Sequence, residues 1–202
     1  MRTALDLADQ DGISALTMRK LAQELTVEAM SLYHHVSSKS ALLDSLIDLI
    51  FAEVDLPSLQ DDWKRALRTR SVSLHQALVR HPWAIGLMES RTAPGPATLR
   101  HHEAVLGCFR TGGFSLPATA HAYSLLDSYI YGFALQELHL PFQDADGAAD
   151  VAAVMMTRMP AGEFPYLAEM AAQHVLQPGY RYADEYETGL ELILNGLEKW
   201  RD

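Results

Sequence analysis

The sequence has very little cysteine, since Cys108 is the only one among 202 residues. A single thiol cannot form an internal disulfide, and no CxxC or Cys/His quartet occurs, which excludes disulfide scaffolds and structural zinc. Long apolar runs are also missing, because no stretch of about 18 apolar residues is found. The first residues alternate acidic and apolar side chains, unlike an export signal. We therefore expect a cytoplasmic protein with no membrane partner.

Positive charge is scarce as well. The chain has 16 lysines and arginines against 26 aspartates and glutamates, which leaves a formal net charge of −10. Such a chain repels nucleic acid and anionic lipid unless its basic side chains are concentrated somewhere. Catalytic motifs are missing too: no GxSxG, P-loop or glycine-rich dinucleotide fingerprint occurs. We expect a protein that is not an enzyme and needs no cofactor, and any DNA binding must be local.

What the chain does contain is apolar residues at helical spacing. Hydrophobic residues make up 49% of the sequence, which allows one sizeable core, or a small domain joined to a larger one. They recur with helical periodicity almost throughout, whereas convincing strand alternation is absent. The clearest run is Met18, Leu21, Ala22 and Leu25. We predict an all-α protein of about nine or ten helices, with a small domain in residues 1–54 and a larger one in residues 55–202.

The segment 16–43 carries the most specific pattern. Thr17 is placed to cap one short helix, a tight turn follows, and a second short helix is predicted over 28–36. With a supporting first helix over 3–10, these make a three-helix helix-turn-helix domain. Inward-facing positions of the turn and second helix are predicted to be Val27, Leu32 and Val36. The outward-facing ones are small or hydrogen-bonding and suit a DNA major groove: Ala29, Met30, Ser31, His34 and His35.

Residues beside the second helix are predicted to contact the DNA backbone. Arg19 is placed to reach guanine or phosphate, and Tyr33 and Lys39 lie where a hydroxyl and an ammonium would meet phosphates. His34 and His35, if partly protonated, would also hold phosphate. The alternative is a helical subdomain whose polar face merely meets solvent, because short amphipathic helices are common.

The residues of this segment resemble a known family. The elements TxRKLA, SLYHHV and SKSALL within 17–43 look like the DNA-binding domain of the TetR family of transcriptional repressors, especially the tetracycline repressor branch. The downstream elements Asp62-Trp63, His81-Pro82-Trp83 and GGFS at 112–115, with Gly132, resemble the C-terminal domain of that branch. The resemblance implies an all-helical homodimer, a ligand cavity in the C-terminal domain, and operator DNA that is released when a small-molecule effector binds.

Two features depart from the family pattern. The turn glycine usual in the family is Thr26 here, at a position where a positive φ is easy only for glycine. The basic N-terminal arm is also missing. The predicted DNA contacts are Thr17, Arg19, Glu28, Ala29, Met30, Ser31, Tyr33, His34, His35 and Lys39.

Polar side chains within the apolar central helices are candidates for binding the effector, because an unpartnered buried polar group costs about 1 to 3 kcal/mol. Tyr123, Asp127, Tyr131 and Gln136 are spaced so that they could share one strip of a helix; alternatively, they bond a neighbouring subunit. The resemblance adds pocket walls, which together with the strip give the predicted ligand contacts Arg70, Leu74, Met88, Arg91, Ala104, Tyr123, Asp127 and Gln136.

A metal site is not expected. By the resemblance, the metal-ligating histidine of tetracycline repressors falls on Met88 and the acidic residue near the metal falls on Gln136. Neither suits magnesium, which prefers hard oxygen ligands. The sequence His101-His102-Glu103 lacks the i, i+4 spacing of chelating pairs, so a surface or interface role is predicted for it.

Two long segments, 118–140 and 183–200, carry apolar residues on more than one helical face. The same pair from a second subunit would cover them and form a two-fold four-helix interface; the alternative is burial within one subunit. We predict a ligand-responsive transcriptional repressor that binds palindromic operator DNA as a homodimer. The alternative function is a helical small-molecule-binding protein or enzyme without operator binding.

Overall fold

The structure, a computed structural model, describes residues 1–142, 144–160 and 162–201, so Asp202 at the end of the predicted larger domain lies outside the described residues. These residues form helices and turns and no strand, which confirms the all-α prediction. None of the helices in the described ranges is long and apolar enough to span a membrane. The helices are α1 Arg2–Asp11, α2 Met18–Glu24, α3 Ala29–Leu32, α4 Lys39–Glu53, α5 Trp63–Arg80, α6 Ile85–Met88, α7 Pro96–Thr111, α8 Leu116–His139, α9 Ala145–Arg158, α10 Pro165–Met170 and α11 Glu185–Leu197.

The first three helices and the start of α4 share a small hydrophobic core. Leu7, Leu21 and Leu32 bring one buried side chain each from α1, α2 and α3. Thr17 caps α2 as the sequence predicts, because its Oγ1 accepts the Lys20 N–H (3.1 Å). Ser38 caps α4 in the same way, because its Oγ accepts the Ala41 N–H (3.1 Å). Side-chain oxygens at these positions satisfy backbone donors that a helix start leaves unpaired.

Helix α4 belongs to two cores. Leu42 and Leu46 pack with α1 to α3, whereas Ile50 and Phe51 pack in the larger C-terminal core. In that second core α5 packs against α7, α8 and α11. A single continuous helix therefore connects the small unit to the larger one.

The structure corrects the predicted faces of the helix-turn-helix. Leu25, the last residue of the apolar run that should form the inner face of its helix, is 41% exposed, and Val27, predicted to face inward, is 46% exposed. Both flank Thr26, whose φ of 55° reverses the chain direction and turns its neighbours outward. The second helix is also shorter than predicted, because regular α-helix covers only Ala29–Leu32 and looser turns continue to His35.

A second contact joins α1 to the C-terminal domain. Asp9 Oδ1 lies 2.8 Å from His81 Nδ1 and accepts the indole N–H of Trp83 at 2.7 Å. His81 Nε2 lies 3.3 Å from Glu53 Oε2, at the end of α4. The His81-Pro82-Trp83 element is therefore an interdomain contact.

Candidate nucleic-acid interface and effector site

The turn between α2 and α3 holds the second helix of the unit in place. The Val27 N–H bonds to the Ala22 carbonyl (3.0 Å) and the Thr26 N–H bonds to the Gln23 carbonyl (3.1 Å). This pair of hydrogen bonds defines a Schellman motif, in which the residue at the position of Thr26 takes the left-handed conformation. Thr26 does so with a φ of 55°. The turn therefore keeps its geometry without the glycine usual in the family.

Most of the predicted DNA contacts are exposed. Met30 is 72% exposed and Tyr33 45%. Ala29 and Ser31 are partly buried, and the Ser31 hydroxyl donates to the Glu28 carbonyl at 2.6 Å. The remaining predicted contacts are exposed: Thr17, Arg19, Glu28, His34, His35 and Lys39.

Local positive charge is available beside α3. Lys20 is paired with Asp11 at 2.6 Å. Within the described ranges, Arg19 and Lys39 take part in no ion pair. Since an unpaired exposed cation can neutralise a phosphate without first losing a protein partner, these two side chains are the better candidates for phosphate contacts.

Arg70 lies at the centre of a buried polar cluster in the C-terminal domain. We name this the polar core cluster and define it as Arg70 of α5, His101 of α7, and Tyr123, Asp127 and Tyr131 of α8. The completely buried Arg70 donates from Nη1 to Asp127 Oδ1 at 2.7 Å and from Nε to His101 Nε2 at 2.9 Å. One side chain thus joins three helices.

The charge state of His101 follows from these contacts. Burial and the neighbouring Arg70 cation lower the pKa of His101 to about 2, so the ring is neutral. Its Nε2 accepts the hydrogen bond from Arg70, so its proton is on Nδ1. His101 therefore offers an N–H donor on the side away from Arg70.

Several polar atoms of this cluster have no protein partner. Among the described residues, no hydrogen bond is made by Arg70 Nη2, His101 Nδ1, Asp127 Oδ2 or the Tyr131 hydroxyl, and all are buried. Burial raises the pKa of Tyr131 well above its usual value, so its hydroxyl stays protonated. Each unpaired buried group costs about 1 to 3 kcal/mol, which a polar ligand or water would recover. The cluster is thus a candidate site for a small polar molecule.

A cavity of about 140 Å³ lies next to the cluster, between α4, α6 and α7. Met88 and Arg91, both predicted ligand contacts, line it, and Arg91 Nη1 lies 3.4 Å from Asp44 Oδ1 of α4. His102 joins the two features, because it lines the cavity and its Nδ1 is hydrogen-bonded to the Tyr123 hydroxyl. The cavity and the cluster form one candidate effector site.

Three predicted ligand residues lie elsewhere. Leu74 is completely buried in the apolar core, and Ala104 is partly exposed on α7. Gln136, predicted to share the strip of Tyr123, Asp127 and Tyr131, is exposed and accepts a hydrogen bond from the Tyr182 hydroxyl (2.7 Å). The step of five residues from Tyr131 turns Gln136 to another side of α8, so the prediction of a shared strip is wrong for this residue.

The prediction of a surface or interface role for His101-His102-Glu103 is wrong for His101. His101 is completely buried and His102 partly buried, while Glu103 is exposed. The sequence contains a signal for this. Thr98, His101, Val105 and Cys108 are spaced as one face of a helix, and that face is the buried one.

The lining of the cavity mixes ligand types, because it contains the carboxylates of Asp44 and Glu89 as well as the thioether of Met88. Met88, onto which the resemblance places the metal-ligating histidine of tetracycline repressors, contributes a buried thioether to the cavity. A thioether is a soft ligand, whereas magnesium binds hard oxygen ligands. In the part of the chain that the structure describes, no three histidine, cysteine, aspartate or glutamate side chains are grouped to hold a metal ion.

The arrangement defines a helix-turn-helix transcriptional regulator. An exposed second helix is held by a capped turn, and a continuous helix connects it to a domain with a buried polar site. Comparison with known families agrees. Residues 1–46 match the family described as "Bacterial regulatory proteins, tetR family", and residues 56–201 match "Tetracyclin repressor-like, C-terminal domain". The chain belongs to the TetR family and has a C-terminal domain of the tetracycline repressor type.

Individual relatives support this assignment. The HTH-type transcriptional repressor DrrR1 of Streptomyces coeruleorubidus is 31% identical, over 98% of this chain and 75% of that protein. Tetracycline repressor protein class C of Escherichia coli is 28% identical, over 100% and 90%. The solved structure of ActR of Streptomyces coelicolor in complex with (S)-DNPA superposes with a TM-score of 0.81 at 29% identity, over 98% and 94%. At the level of the family, the prediction of a ligand-responsive transcriptional repressor is confirmed.

Proposed function

We propose that this chain represses transcription by binding a palindromic operator as a homodimer and that a small-molecule effector in the C-terminal domain releases it. The observation that carries the proposal is the continuity of α4. Its first half packs against α1 to α3, which we call the reading unit, and its second half packs in the core that holds the polar core cluster. A shift at either end is transmitted to the other. The protein would act in the cytoplasm, where it meets DNA, as a regulator and not as an enzyme.

Exposed apolar residues on α8 and α11 support the homodimer. Leu125 and Leu135 of α8 are 49% and 48% exposed, and Leu192 of α11 is 71% exposed. Gly132 and Gly196 lie on the same sides of these helices, and a Cβ built on either would meet no atom within 4 Å. Leucines beside open glycines suit close approach of a second copy related by a two-fold axis. That symmetry would place two copies of α3 on one face of a duplex.

Specific roles follow for the reading unit. We assign base contacts to Ala29, Met30 and Ser31, and backbone contacts to Tyr33 and Lys39. Residues 1–54 form the DNA-binding domain with its connecting helix, and residues 55–202 form the ligand-binding and dimerisation domain. The remaining contacts we assign to the operator are Thr17, Arg19, Glu28, His34 and His35.

The effector site is assigned to the cavity and the polar core cluster together. Arg70, Tyr123 and Asp127 supply charge and hydrogen bonds, while Met88 and Arg91 line the approach from α6. The capture of (S)-DNPA by ActR supports a small-molecule effector here. To move operator occupancy from about 99:1 to about 1:99, the effector must prefer the released form by about 5.5 kcal/mol.

Fluorescence anisotropy with a palindrome from the DNA beside its own gene tests the proposal. At moderate salt, a dissociation constant on the order of 10⁻⁸ M is expected, at least about a thousandfold tighter than for random duplex. The affinity should fall as salt rises, because phosphate contacts release counterions. Equal binding to the palindrome and to random duplex at low salt would refute operator binding and favour the alternative, a small-molecule binder without DNA affinity.

Substitutions on the reading unit separate positioning from sequence reading. Tyr33→Phe removes a hydroxyl assigned to phosphate and should weaken binding to all sequences by a similar factor. Met30→Ala removes the most exposed side chain of α3 and should change which operator variants are preferred, with about 1 to 3 kcal/mol at the affected base pair. Binding to a set of single-base operator variants gives both results. Unchanged preference in Met30→Ala would contradict the assigned reading face.

A further inference from the structure

Helix α7 begins without a cap of its own. Its N-cap residue is Gly95, which has no side chain, and Pro96 follows at the first helical position. The missing acceptor is supplied from another helix: Asp48 Oδ1 of α4 accepts the Thr98 N–H at 2.8 Å and the Thr98 hydroxyl at 3.0 Å. A capping side chain normally accepts the N–H of the second or third helical residue, and Thr98 is the third. Asp48 is thus the cap of α7, donated from the connecting helix.

Gly95 is required by this contact. A Cβ built on Gly95 would overlap the carboxyl group of Asp48. The absence of a side chain at the start of α7 therefore allows the carboxylate of α4 to reach the backbone donor. The negative charge also lies at the positive end of the α7 helix dipole, which favours it there.

The first turn of α7, which Asp48 caps, lies beside the candidate effector site. Thr98 and His102 are four residues apart on one side of α7, and both line the cavity. His101, three residues after Thr98, accepts the hydrogen bond from Arg70 in the polar core cluster. A molecule in the cavity therefore lies against Thr98 and His102 in the turn of α7 that Asp48 holds, and against Asp44 and Ile47 of α4 on the other side.

On the α4 side of the contact between Asp48 and Thr98, the helix packs against the reading unit. Asp48 follows Leu46, which is completely buried with α1 to α3, and precedes Ile50 of the larger core. It therefore lies where α4 passes between its two cores. The Asp9 contact with His81 and Trp83 also ties the domains together, but it reaches none of the residues that line the cavity.

We propose that Asp48 is the positioning residue that couples the effector site to operator binding, through its cap on α7. The proposal rests on the proposed function, because it presupposes that operator DNA selects one orientation of α4. Movement of the first turn of α7 shifts Asp48 and with it α4, and an orientation of α4 selected by DNA shifts the first turn of α7 in return. The coupling is reciprocal, as every equilibrium linkage between two sites must be.

The reciprocal direction can be measured without knowing the effector. Hydrogen exchange of the full-length protein is followed by mass spectrometry with and without the operator duplex, on peptides that cover 96–104. Operator should change exchange in this segment by about threefold or more, in either direction, because the Thr98 amide reports the cap directly. In Asp48→Ala the change should disappear although the duplex still binds, and in Asp48→Asn, whose amide oxygen can still accept, most of it should remain.

Controls make the outcome specific. Asp9→Ala removes an interdomain carboxylate that does not touch α7 and should leave the response of 96–104 intact. Gly95→Ala breaks the same cap from the α7 side and replaces Asp48→Ala if that variant does not fold. An unchanged 96–104 segment in operator-bound wild type, or an equal response in Asp48→Ala, overturns the proposal while the repressor function stands. If the wild type binds no duplex specifically, the proposed function fails, and the coupling fails with it.

Discussion

His101 is a histidine without a positive charge. Its ring is completely buried, its Nε2 accepts from Arg70, and burial with that neighbouring cation lowers its pKa to about 2 from an ordinary 6.5. The unfolded chain takes up a proton on this side chain near pH 6.5, whereas the folded chain does not. The free energy of unfolding should therefore fall as the pH drops below 6.5, because the unfolded state binds more protons.

The pH dependence of stability tests this assignment. The stabilising contribution is fully present above pH 6.5 and should decline by about 1.4 kcal/mol per pH unit below it. His101→Gln removes the titrating group and keeps an oxygen that can accept from Arg70. Urea titrations at about pH 7 and about pH 5 should show that the wild type loses about 2 kcal/mol more than the variant. An equal loss in both proteins would show that His101 is not held neutral.

At the scale of single elements, the turn of the helix-turn-helix contains the most unusual backbone conformation. Thr26 is the only non-glycine residue of the described ranges with a positive φ. The left-handed conformation costs an L-residue about 1 to 2 kcal/mol. Glycine avoids that strain but loses about 0.5 to 1 kcal/mol through its more flexible unfolded state. The first effect is larger, so glycine is the more stable choice at this position.

Thr26→Gly should therefore raise the free energy of unfolding by about 0.5 to 1 kcal/mol, measured by urea titration. Operator affinity should stay unchanged, since the Schellman hydrogen bonds of the turn are backbone bonds and remain. Thr26→Val keeps β-branching and serves as the matched control, with no gain in stability. A loss of stability in Thr26→Gly would mean that the threonine conformation is not strained.

At the scale of the whole molecule, a net charge of −10 must be reconciled with DNA binding. The proposed two-fold symmetry would help, because a dimer would present Arg19 and Lys39 twice along one duplex while most of the acidic side chains lie in the larger domain. Operator affinity should then depend strongly on the dimer, since two linked reading units bind far more tightly than either alone.

Leu192→Glu tests the assembly. The side chain is 71% exposed in the isolated chain, and a charge there would be buried in the proposed interface. Native mass spectrometry should find the variant monomeric, and anisotropy should show a loss of operator affinity of about a hundredfold or more. Leu99→Glu, at another exposed leucine (56%) on α7, is the matched control and should remain dimeric. A dimeric Leu192→Glu variant would place the interface elsewhere.

The sequence predicts a structural feature correctly where neighbouring residues alone determine it. The cap at Thr17 follows from residue type and spacing, and it forms. The predicted inward faces of Leu25 and Val27 are wrong, because the left-handed Thr26 between them directs the chain so that both side chains are exposed. Likewise, Gln136 was placed with Tyr131 although a step of five residues leaves the shared face.

The sequence by itself determined the all-helical class, the helix-turn-helix unit and the family, because these depend on periodicity, capping and motifs within short segments. Only the tertiary structure decided that Arg70, His101 and Asp127 meet in a buried cluster, and that Asp48 caps α7 at Thr98. The contacts of the cluster join residues that are separated by 31 and 57 positions in the sequence, and 50 positions separate Asp48 from Thr98. Helical spacing describes which side of one helix a residue occupies, whereas the partner it meets depends on how separate helices pack.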